Sequence, residues 1–246
     1  MSKFIDQLHA PVDESWNQFL TKNILETLHT IEHNVLEAEF TPDITRVLHF
    51  LTIPLVQTRV IILGQDPYPQ PDVATGRAFE VGTLADWNHP FRNVSLKNIV
   101  RLIYKTYYGK ILAYKSIIEW NDKTNEIAGP QELFKKWESQ GVLLLNTAFT
   151  CQTGKSNSHS KLWKPFSHQL LQFINQQNPG LTWVLWGGHA QNITAEIDII
   201  QKTTSHHPMM CSPKRTNDFL FGKNNTLSET RHLIDWRGNS ETKPIA

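Results

Sequence analysis

The fold is decided by one stretch, Arg59-Val60-Ile61-Ile62-Leu63, which runs directly into Gly64-Gln65-Asp66-Pro67-Tyr68. The first half is a continuous aliphatic run, which is typical of a parallel strand covered on both faces. The second half places a carboxylate between a glycine, which permits unusual backbone angles, and a proline, which fixes φ. Ligands of open α/β sheets bind at the carboxyl ends of such strands, so Asp66 stands where a reacting group is expected.

Three further apolar runs predict the other strands of one parallel sheet, at 142–145, 182–186 and, less regularly, 202–205. Helical patterns imply crossovers between them, over residues 95–107, 131–139, 164–176 and 190–200. Before the first strand, helical spacing of apolar residues predicts a helix from Trp16 to Ile31 with Asp13 as its N-cap, and a second helix over 43–51. The predicted fold class is therefore α/β, a three-layer α/β/α sandwich with a central four-stranded parallel sheet.

The composition predicts one folded, near-neutral domain. The 246 residues are 39% hydrophobic and 10% aromatic, without a low-complexity tract, which favours a single domain over 1–246 with a core of about 16–236. A formal charge of +1 excludes binding of nucleic acid through a broad, positively charged surface. Any such contact must be local, and local cations exist at Lys214, Arg215 and Lys223.

The sequence gives no sign of a membrane segment, a cofactor or a metal. No run has the length and apolar character of a signal peptide or a membrane span, so we expect a cytoplasmic monomer, or a nuclear one in a eukaryote. The isolated Cys151 and Cys211 fit a reducing compartment and exclude a four-cysteine zinc or iron–sulfur site built from this chain. The histidines that could bind a metal do not follow the compact spacing of a metal site. They are His159, His189, His206 and His207.

Each predicted strand is followed by polar or glycine residues. These strand ends read Gly64-Gln65-Asp66, Asn146-Thr147, Gly187-Gly188-His189 and His206-His207-Pro208. Any one of them is also typical of an ordinary turn or helix cap. Together, at one edge of one sheet, they predict a pocket that combines an anion, an amide, a close backbone approach and an imidazole.

These motifs, in this order, resemble those of family-1 uracil-DNA glycosylases. The matches are Gly64-Gln65-Asp66-Pro67-Tyr68, Gly76-Arg77-Ala78-Phe79, Leu143-Leu144-Leu145-Asn146-Thr147, Leu185-Trp186-Gly187 and His207-Pro208. Supporting matches are Ser95-Leu96-Lys97-Asn98-Ile99, Asn157-Ser158-His159, Ala190-Gln191 and Ile234-Asp235-Trp236. The likeness covers residues 16–236. Sister families carry Asn or Ala near the Asp66 position, or a four-cysteine iron–sulfur cluster, so the chain is identified as a divergent member of family 1.

The resemblance implies an enzyme that flips uracil out of DNA and hydrolyses its N-glycosidic bond, leaving an abasic site. It implies that Asp66 supports the oxocarbenium-like sugar and orients the attacking water, and that His207 donates a hydrogen bond to the uracil oxygen that gains charge. A neutral imidazole can donate this bond if its tautomer is fixed. His206 is the rival imidazole, but Pro208 follows His207 as the motif requires.

The base is expected to be bound by Gln65, Tyr68, Phe79 and Asn146. The Asn146 carboxamide offers one acceptor and one donor to the N3–H and O4 of uracil, whereas cytosine presents the reverse pattern. Phe79 would stack on the base, and Tyr68 would fill the space of the thymine methyl group. Contacts to DNA are expected from Ser95, Gly187, Gly188, Met210, Cys211, Ser212, Lys214 and Arg215.

Three departures from the family pattern stand out. Pro69 replaces a histidine beside Asp66, and Gly188 replaces a serine, which leaves only backbone to hold a phosphate. The loop after His207 lacks the usual leucine wedge. Ungapped register puts Cys211 at the wedge position, but Met210 is longer and more flexible and is favoured. Residues 104–130 also exceed the usual link and predict a solvated loop or a partner surface.

Three functions are compatible with these residues. The leading hypothesis is a monofunctional uracil-DNA glycosylase whose partners are uracil-containing DNA and inhibitor proteins that mimic DNA. The second is a catalytically weak, DNA-binding subunit of a larger complex, suggested by Pro69, the altered loop and the 104–130 insertion. The third is a glycosylase for another modified pyrimidine, against which Tyr68 and Asn146 argue.

Overall fold

The computed structural model describes residues 2–239 and has a four-stranded parallel sheet at its centre. The strands are β1 (Phe40–Thr41), β2 (Val60–Gly64), β3 (Val142–Asn146), β4 (Cys151–Gln152), β5 (Thr182–Trp186) and β6 (Gln201–Ser205). The central order is β3-β2-β5-β6, while β1 and β4 form a small antiparallel pair. The predicted parallel sheet is confirmed. Residue 1 and residues 240–246 of the expected 1–246 domain lie outside the described residues.

Helices surround the sheet. They are α1 (Lys3–Asp6), α2 (Lys22–Val35), α3 (Val94–Tyr108), α4 (Tyr114–Thr124), α5 (Pro130–Ser139), α6 (Ser160–Gln177), α7 (Gly187–Ile193) and α8 (Thr226–Thr230). Short 3₁₀ helices occur at Glu14–Trp16, Ile44–Arg46, His49–Thr52 and Leu55–Gln57. Over residues 2–239, no helix combines the length and the apolar character needed to cross a membrane.

Alternate strand residues feed two apolar layers, one on each face of the sheet. Ile61 and Leu63 of β2 pack with the buried residues of α2 and α6. Val60 and Ile62 point the other way and pack with α3 and α5. This alternation follows from the two-residue period of a strand, and it produces the predicted α/β/α sandwich.

The predicted helix from Trp16 to Ile31 is wrong as a single element. Asp13 does cap, but it caps only the short 3₁₀ helix Glu14–Trp16, by accepting the Ser15 N–H. The chain then turns, and α2 begins after Thr21, whose hydroxyl accepts the N–H of Ile24. A second N-cap inside an apolar pattern therefore splits it in two.

Two other predicted helices are shorter than their patterns suggest. The segment 43–51 forms two 3₁₀ helices, and α7 ends at Ile193 instead of reaching residue 200. The hydroxyl of Thr194 donates to the carbonyl of Ala190 at 2.8 Å. Turn bonds follow, with the N–H of Ile197 donating to the carbonyl of Thr194. Local bonds of this kind compete with helix propagation.

The expectation of a solvated loop within 104–130 is also wrong, because α4 occupies the middle of this segment. Ile117 and Ile118 are buried. The Trp120 ring lies 5.0 Å from the Tyr104 ring and 4.8 Å from the Tyr108 ring, centroid to centroid. The insertion is thus packed onto α3 and extends the apolar layer on that side of the sheet.

The packing of α2 gives a stability prediction with a matched control. Leu28 is fully buried and Leu25, one turn away, is 38% exposed. Leu28→Ala should lower the free energy of unfolding by ~2–5 kcal/mol, because it leaves a cavity in the core. Leu25→Ala should change it by less than about 1 kcal/mol. Urea denaturation measures both, and equal losses would contradict this packing.

Candidate active site

The carboxyl edge of the sheet opens into a cavity of about 310 Å³. Four of the residues expected to surround a base all line it, namely Asp66, Phe79, Asn146 and His207. Gln65, Tyr68 and Ser95 line the same space, as expected of base and DNA contacts. Side chains from separate segments therefore converge on one concave site of the size of a small ligand.

Asn146 reaches the cavity because a glycine stands opposite it. The parallel register pairs Gly64 with Asn146. A Cβ on Gly64 would lie 2.1 Å from the Asn146 Oδ1 and 2.9 Å from the Ala78 Cβ, so no other residue fits without displacement. The carboxamide has no hydrogen-bond partner within residues 2–239 while it borders the cavity. Its donor and its acceptor are both left for a ligand.

Phe79 forms one wall of the cavity in a strained backbone conformation. Its φ is 68°, in the left-handed region that bulky residues rarely adopt. The ring centroid lies 5.4 Å from that of Trp186 and 6.0 Å from that of His207. The Tyr68 hydroxyl donates to the Phe79 carbonyl at 3.4 Å, and the Ala78 N–H donates to the Leu144 carbonyl at 3.2 Å. These contacts hold the ring against the cavity.

Arg77, which also lines the cavity, links this wall to two carboxylates, a role that the sequence did not reveal. Its Nε donates to Glu138 Oε2 at 3.0 Å, and its Nη1 donates to Glu80 Oε2 at 3.2 Å. Glu138 also accepts from His49 Nε2 at 2.8 Å. Burial alone would raise the pKa of Glu138, but the hydrogen bonds from His49 and Arg77 lower it overall. The carboxylate therefore stays ionised and paired.

Asp66 is held by a backbone N–H from a distant loop. The Asn157 N–H donates to its Oδ2 at 2.6 Å, and the Asn157 Oδ1 accepts from Gln65 Nε2 at 2.7 Å. Burial raises the pKa of Asp66 above its ordinary value, although the Asn157 hydrogen bond and the nearby His189 oppose this rise. Asn157 belonged to a matched motif but had no predicted role, and its left-handed φ of 63°, which asparagine tolerates, is visible only in the structure.

His207 presents a neutral ring with a fixed tautomer. Its Nδ1 accepts the Met209 N–H at 3.1 Å, and because a backbone N–H can only donate, the proton of the neutral ring sits on Nε2. Enclosure by protein lowers the pKa of His207, and His189 lowers it further. The rival His206 is exposed and does not line the cavity.

The loop that carries His207 is fixed by two contacts. Gly187, with φ of 88°, has space only for hydrogen, since a Cβ would lie 2.8 Å from the His207 Cβ. The Asn98 side chain on α3 donates to the Pro208 carbonyl at 2.6 Å. Asn98 also belonged to a matched motif without an assigned role. Both contacts fix the direction of the imidazole.

The remaining predicted DNA contacts differ in exposure. Gly188 is exposed at the start of α7, with open space around its α-carbon. Met210 is 58% exposed, whereas Cys211 is half-buried with its Sγ 3.5 Å from the Pro208 carbonyl. Met209, which was not predicted, is 57% exposed and also lines the cavity.

Two bonds brace the outer part of this loop. The Ser212 N–H donates to Asp218 Oδ2 at 2.7 Å. The exposed Arg215 donates from Nη1 to the Met210 carbonyl at 2.9 Å, and Lys214 is exposed beside it in sequence. Of the two predicted cations, Arg215 therefore holds the backbone of Met210 in place.

Pro69 lines the cavity beside Asp66 without offering a side-chain donor. Its carbonyl accepts the N–H of Gly154 at 2.7 Å. His189 does not line the cavity, and its Nε2 lies 2.7 Å from Thr147 Oγ1. Within residues 2–239, no three His, Cys, Asp or Glu side chains are grouped to hold a metal ion.

The chain is similar to known proteins over most of its length. Residues 51–229 match the family model described as the uracil DNA glycosylase superfamily. The chain is 32% identical to uracil-DNA glycosylase 1 of Listeria monocytogenes over 201 residues, which is 78% of this chain and 80% of that protein. It is 29% identical to the uracil-DNA glycosylase of Lactococcus lactis over 240 residues, which is 90% of this chain and 97% of that protein.

It is also similar in fold to solved structures. The wild-type UNG of Nitratifractor salsuginis superposes with a TM-score of 0.72 at 26% identity, covering 92% of each chain. A mimivirus uracil-DNA glycosylase superposes with a TM-score of 0.67 at 22% identity, over 98% of this chain and 88% of that one, and shares the fold. The chain therefore belongs to the uracil DNA glycosylase superfamily.

The crossing of Asn146 over Gly64 gives a second stability prediction. Gly64→Ala should lower the free energy of unfolding by ~1–3 kcal/mol, because the new methyl overlaps the Asn146 carboxamide. Gly180→Ala, at a site with no atom closer than 4.0 Å, should change it little. In an Asn146→Ala background the cost of Gly64→Ala should shrink, and an unchanged cost in a double-mutant cycle would contradict the crossing.

Proposed function

We propose that this protein is a monofunctional uracil-DNA glycosylase, which extrudes uracil from DNA and hydrolyses its N-glycosidic bond to leave an abasic site. The observation that carries the proposal is the convergence of Asp66, Phe79, Asn146 and His207 on one cavity. The relatives of the chain carry the name uracil-DNA glycosylase. No contact around Pro69 favours a DNA-holding subunit or a different pyrimidine.

The hydrolysis separates charge, and the site offers one group to each side. As the N-glycosidic bond breaks, positive charge develops on the sugar and negative charge on the departing base. The Asp66 Oδ2 is occupied by Asn157, so Oδ1 is the atom left to orient water and face the sugar. The His207 Nε2–H would donate to the uracil oxygen that gains charge. Because the ring is already neutral, this donation needs no proton uptake.

Selection of uracil rests on shape and hydrogen bonding. The Asn146 carboxamide pairs with N3–H and O4 of uracil and would leave cytosine unpaired. Phe79 stacks on the base, and Gln65 also lines the cavity that holds it. Burial raises the pKa of Tyr68 to about 12, so its hydroxyl stays protonated and bonded to the Phe79 carbonyl. The fixed Tyr68 ring then occupies the space of a thymine methyl group.

Contacts to DNA would come from the cavity rim and the braced loop. Ser95, Gly187 and Gly188 offer a hydroxyl and backbone N–H groups to phosphates. The Ser212 N–H is already used by Asp218, so this residue has only its hydroxyl to offer. Met210, the more exposed of the two wedge candidates, would enter the base stack, with Cys211 behind it. Lys214 and Arg215 would meet the backbone.

We also propose a monomer in a reducing compartment, the cytoplasm or, in a eukaryote, the nucleus. The free thiols of Cys151 and Cys211 support the reducing compartment. An inhibitor protein that mimics DNA would cover the same face as DNA. A mimivirus UNG, which shares the fold at 20% identity and a TM-score of 0.62, has been solved in complex with UGI. Gel filtration and titration of activity with UGI test these points.

Loss of either Asp66 or His207 should abolish most of the turnover. Asp66→Asn removes the negative charge that faces the sugar, and His207→Ala removes the donor to the base. Each should lower kcat by roughly 10²–10³-fold in release of free uracil from a single-uracil oligonucleotide. His206→Ala and Asp72→Asn, both exposed, are the matched controls and should keep the rate. A folded Asp66→Asn enzyme with full activity would refute the proposal.

The raised pKa of Asp66 fixes the direction of the pH dependence. The carboxylate must be ionised, so kcat/KM should fall as the pH drops through a pKa that lies above 3.8. The pKa of His207 is lowered from its ordinary value of 6.5, so its ring is mostly neutral at about pH 7.5 and above, where the rate should be flat. Steady-state kinetics across pH, with circular dichroism to confirm folding, measures this. An acid limb that persists unchanged in Asp66→Asn would contradict the assignment.

A further inference from the structure

A second cavity, of about 370 Å³, lies beside the start of α3, and we call it the aromatic cavity. Its lining residues are Trp87, Asn88, His89, Pro90, Phe91, Lys97, Tyr114, Lys115, Ile118 and Glu119. The Phe91 and Tyr114 rings meet edge to face, with centroids 5.6 Å apart and planes at 83°. The Tyr114 hydroxyl donates to the Trp87 carbonyl at 2.9 Å, which locks the ring in place.

The charge in this cavity is not balanced. The Lys97 Nζ lies 4.8 Å from the Phe91 centroid and 5.8 Å from the Tyr114 centroid. It has no carboxylate partner within the described residues, whereas Lys115 pairs with Glu119 at 3.7 Å. The Lys97 ammonium, held over two rings, can therefore pair with an anion. The aromatic rings beside it can stack with a planar group. A nucleotide carries both features.

The aromatic cavity is close to the site that would hold the extruded uracil. Phe91 precedes Ser95 by four residues, and Ser95 lines the active-site cavity. Four residues span at most about 14 Å. This equals about four base steps at ~3.4 Å along one DNA strand. A strand whose uracil occupies the first cavity therefore reaches the second within a few nucleotides.

We propose that the aromatic cavity is a second nucleotide-binding site, in which an unpaired base flanking the extruded uracil packs against Phe91 and Tyr114, stacked on one ring and edge-on to the other, while its phosphate pairs with Lys97. This proposal rests on the proposed function. Only an unpaired base can leave its neighbours to stack there, so the site selects single-stranded flanks. It also gives the insertion a role, because α4 supplies Tyr114 and Lys115.

Comparison of single-stranded and duplex substrates of the same sequence tests the site. Phe91→Leu and Tyr114→Leu keep the apolar volume but remove a ring face, and Lys97→Met keeps the stem but removes the charge. Each should raise KM on the single-stranded substrate about tenfold with kcat unchanged. Each should leave KM on the duplex within about twofold. Lys110→Met removes an exposed lysine outside the cavity and should behave as wild type. Tyr114→Phe keeps the ring but loses its bond to the Trp87 carbonyl, so its single-strand KM should rise less than that of Tyr114→Leu.

The duplex substrate controls for folding, because a misfolded variant would lose activity on both. Unchanged single-strand KM in all three variants, or equal losses on both substrates, would overturn the proposal. Binding of a uracil-free, single-stranded oligonucleotide by Asp66→Asn protein, followed by anisotropy, keeps the test independent of turnover. If the wild type releases no uracil, the proposed function fails, while weaker binding by the Phe91→Leu form would still support the aromatic cavity.

Discussion

The register between β2 and β3 is the constraint on which the active site depends. Because the two strands are parallel and pair Gly64 with Asn146, their polar ends emerge at the same edge. The absence of a side chain on Gly64 lets the Asn146 carboxamide lie across the end of β2. A slip of one residue would turn Asn146 toward a helix layer and bring a bulky side chain against it.

Around this edge, the walls are held by contacts from distant segments. Phe79 keeps an unfavourable backbone angle where Tyr68 bonds to its carbonyl and Ala78 bonds to the Leu144 carbonyl. The His207 tautomer is fixed by its own loop, and Asn98 on α3 holds that loop. Rigid placement of this kind suits a reaction whose barrier is lowered by preorganised dipoles and charges. The departure at Pro69 leaves these contacts intact.

The sequence predicted the strands well, because a buried parallel strand has a dense local signal. The segment 182–186 matches β5 residue for residue, and the polar ends of all four strands were visible. The helices before β2 were not predicted correctly. A capping hydroxyl such as that of Thr21 starts a new helix, yet the spacing of apolar residues continues across it unchanged. The α4 helix was missed because its apolar residues are sparse among polar ones.

The contacts that hold the site could not be predicted from local patterns in the sequence. Asn157 reaches Asp66 across 91 residues, Asn98 reaches Pro208 across 110, and Arg77 reaches Glu138 across 61. No spacing rule encodes such pairs. The motif resemblance pointed to Asp66, Phe79, Asn146 and His207 as a group, and only the three-dimensional fold reveals which neighbours orient them.

The bracing of the loop after His207 has a consequence for how DNA is engaged. Its backbone is tied by Arg215 to the Met210 carbonyl, by Asp218 to the Ser212 N–H and by Asn98 to the Pro208 carbonyl. The main chain is therefore ordered before any encounter, while the methionine side chains keep their flexible thioether stems. DNA binding then costs little backbone entropy. The flexible methionine side chains can adapt to the bases on either side of the extruded nucleotide.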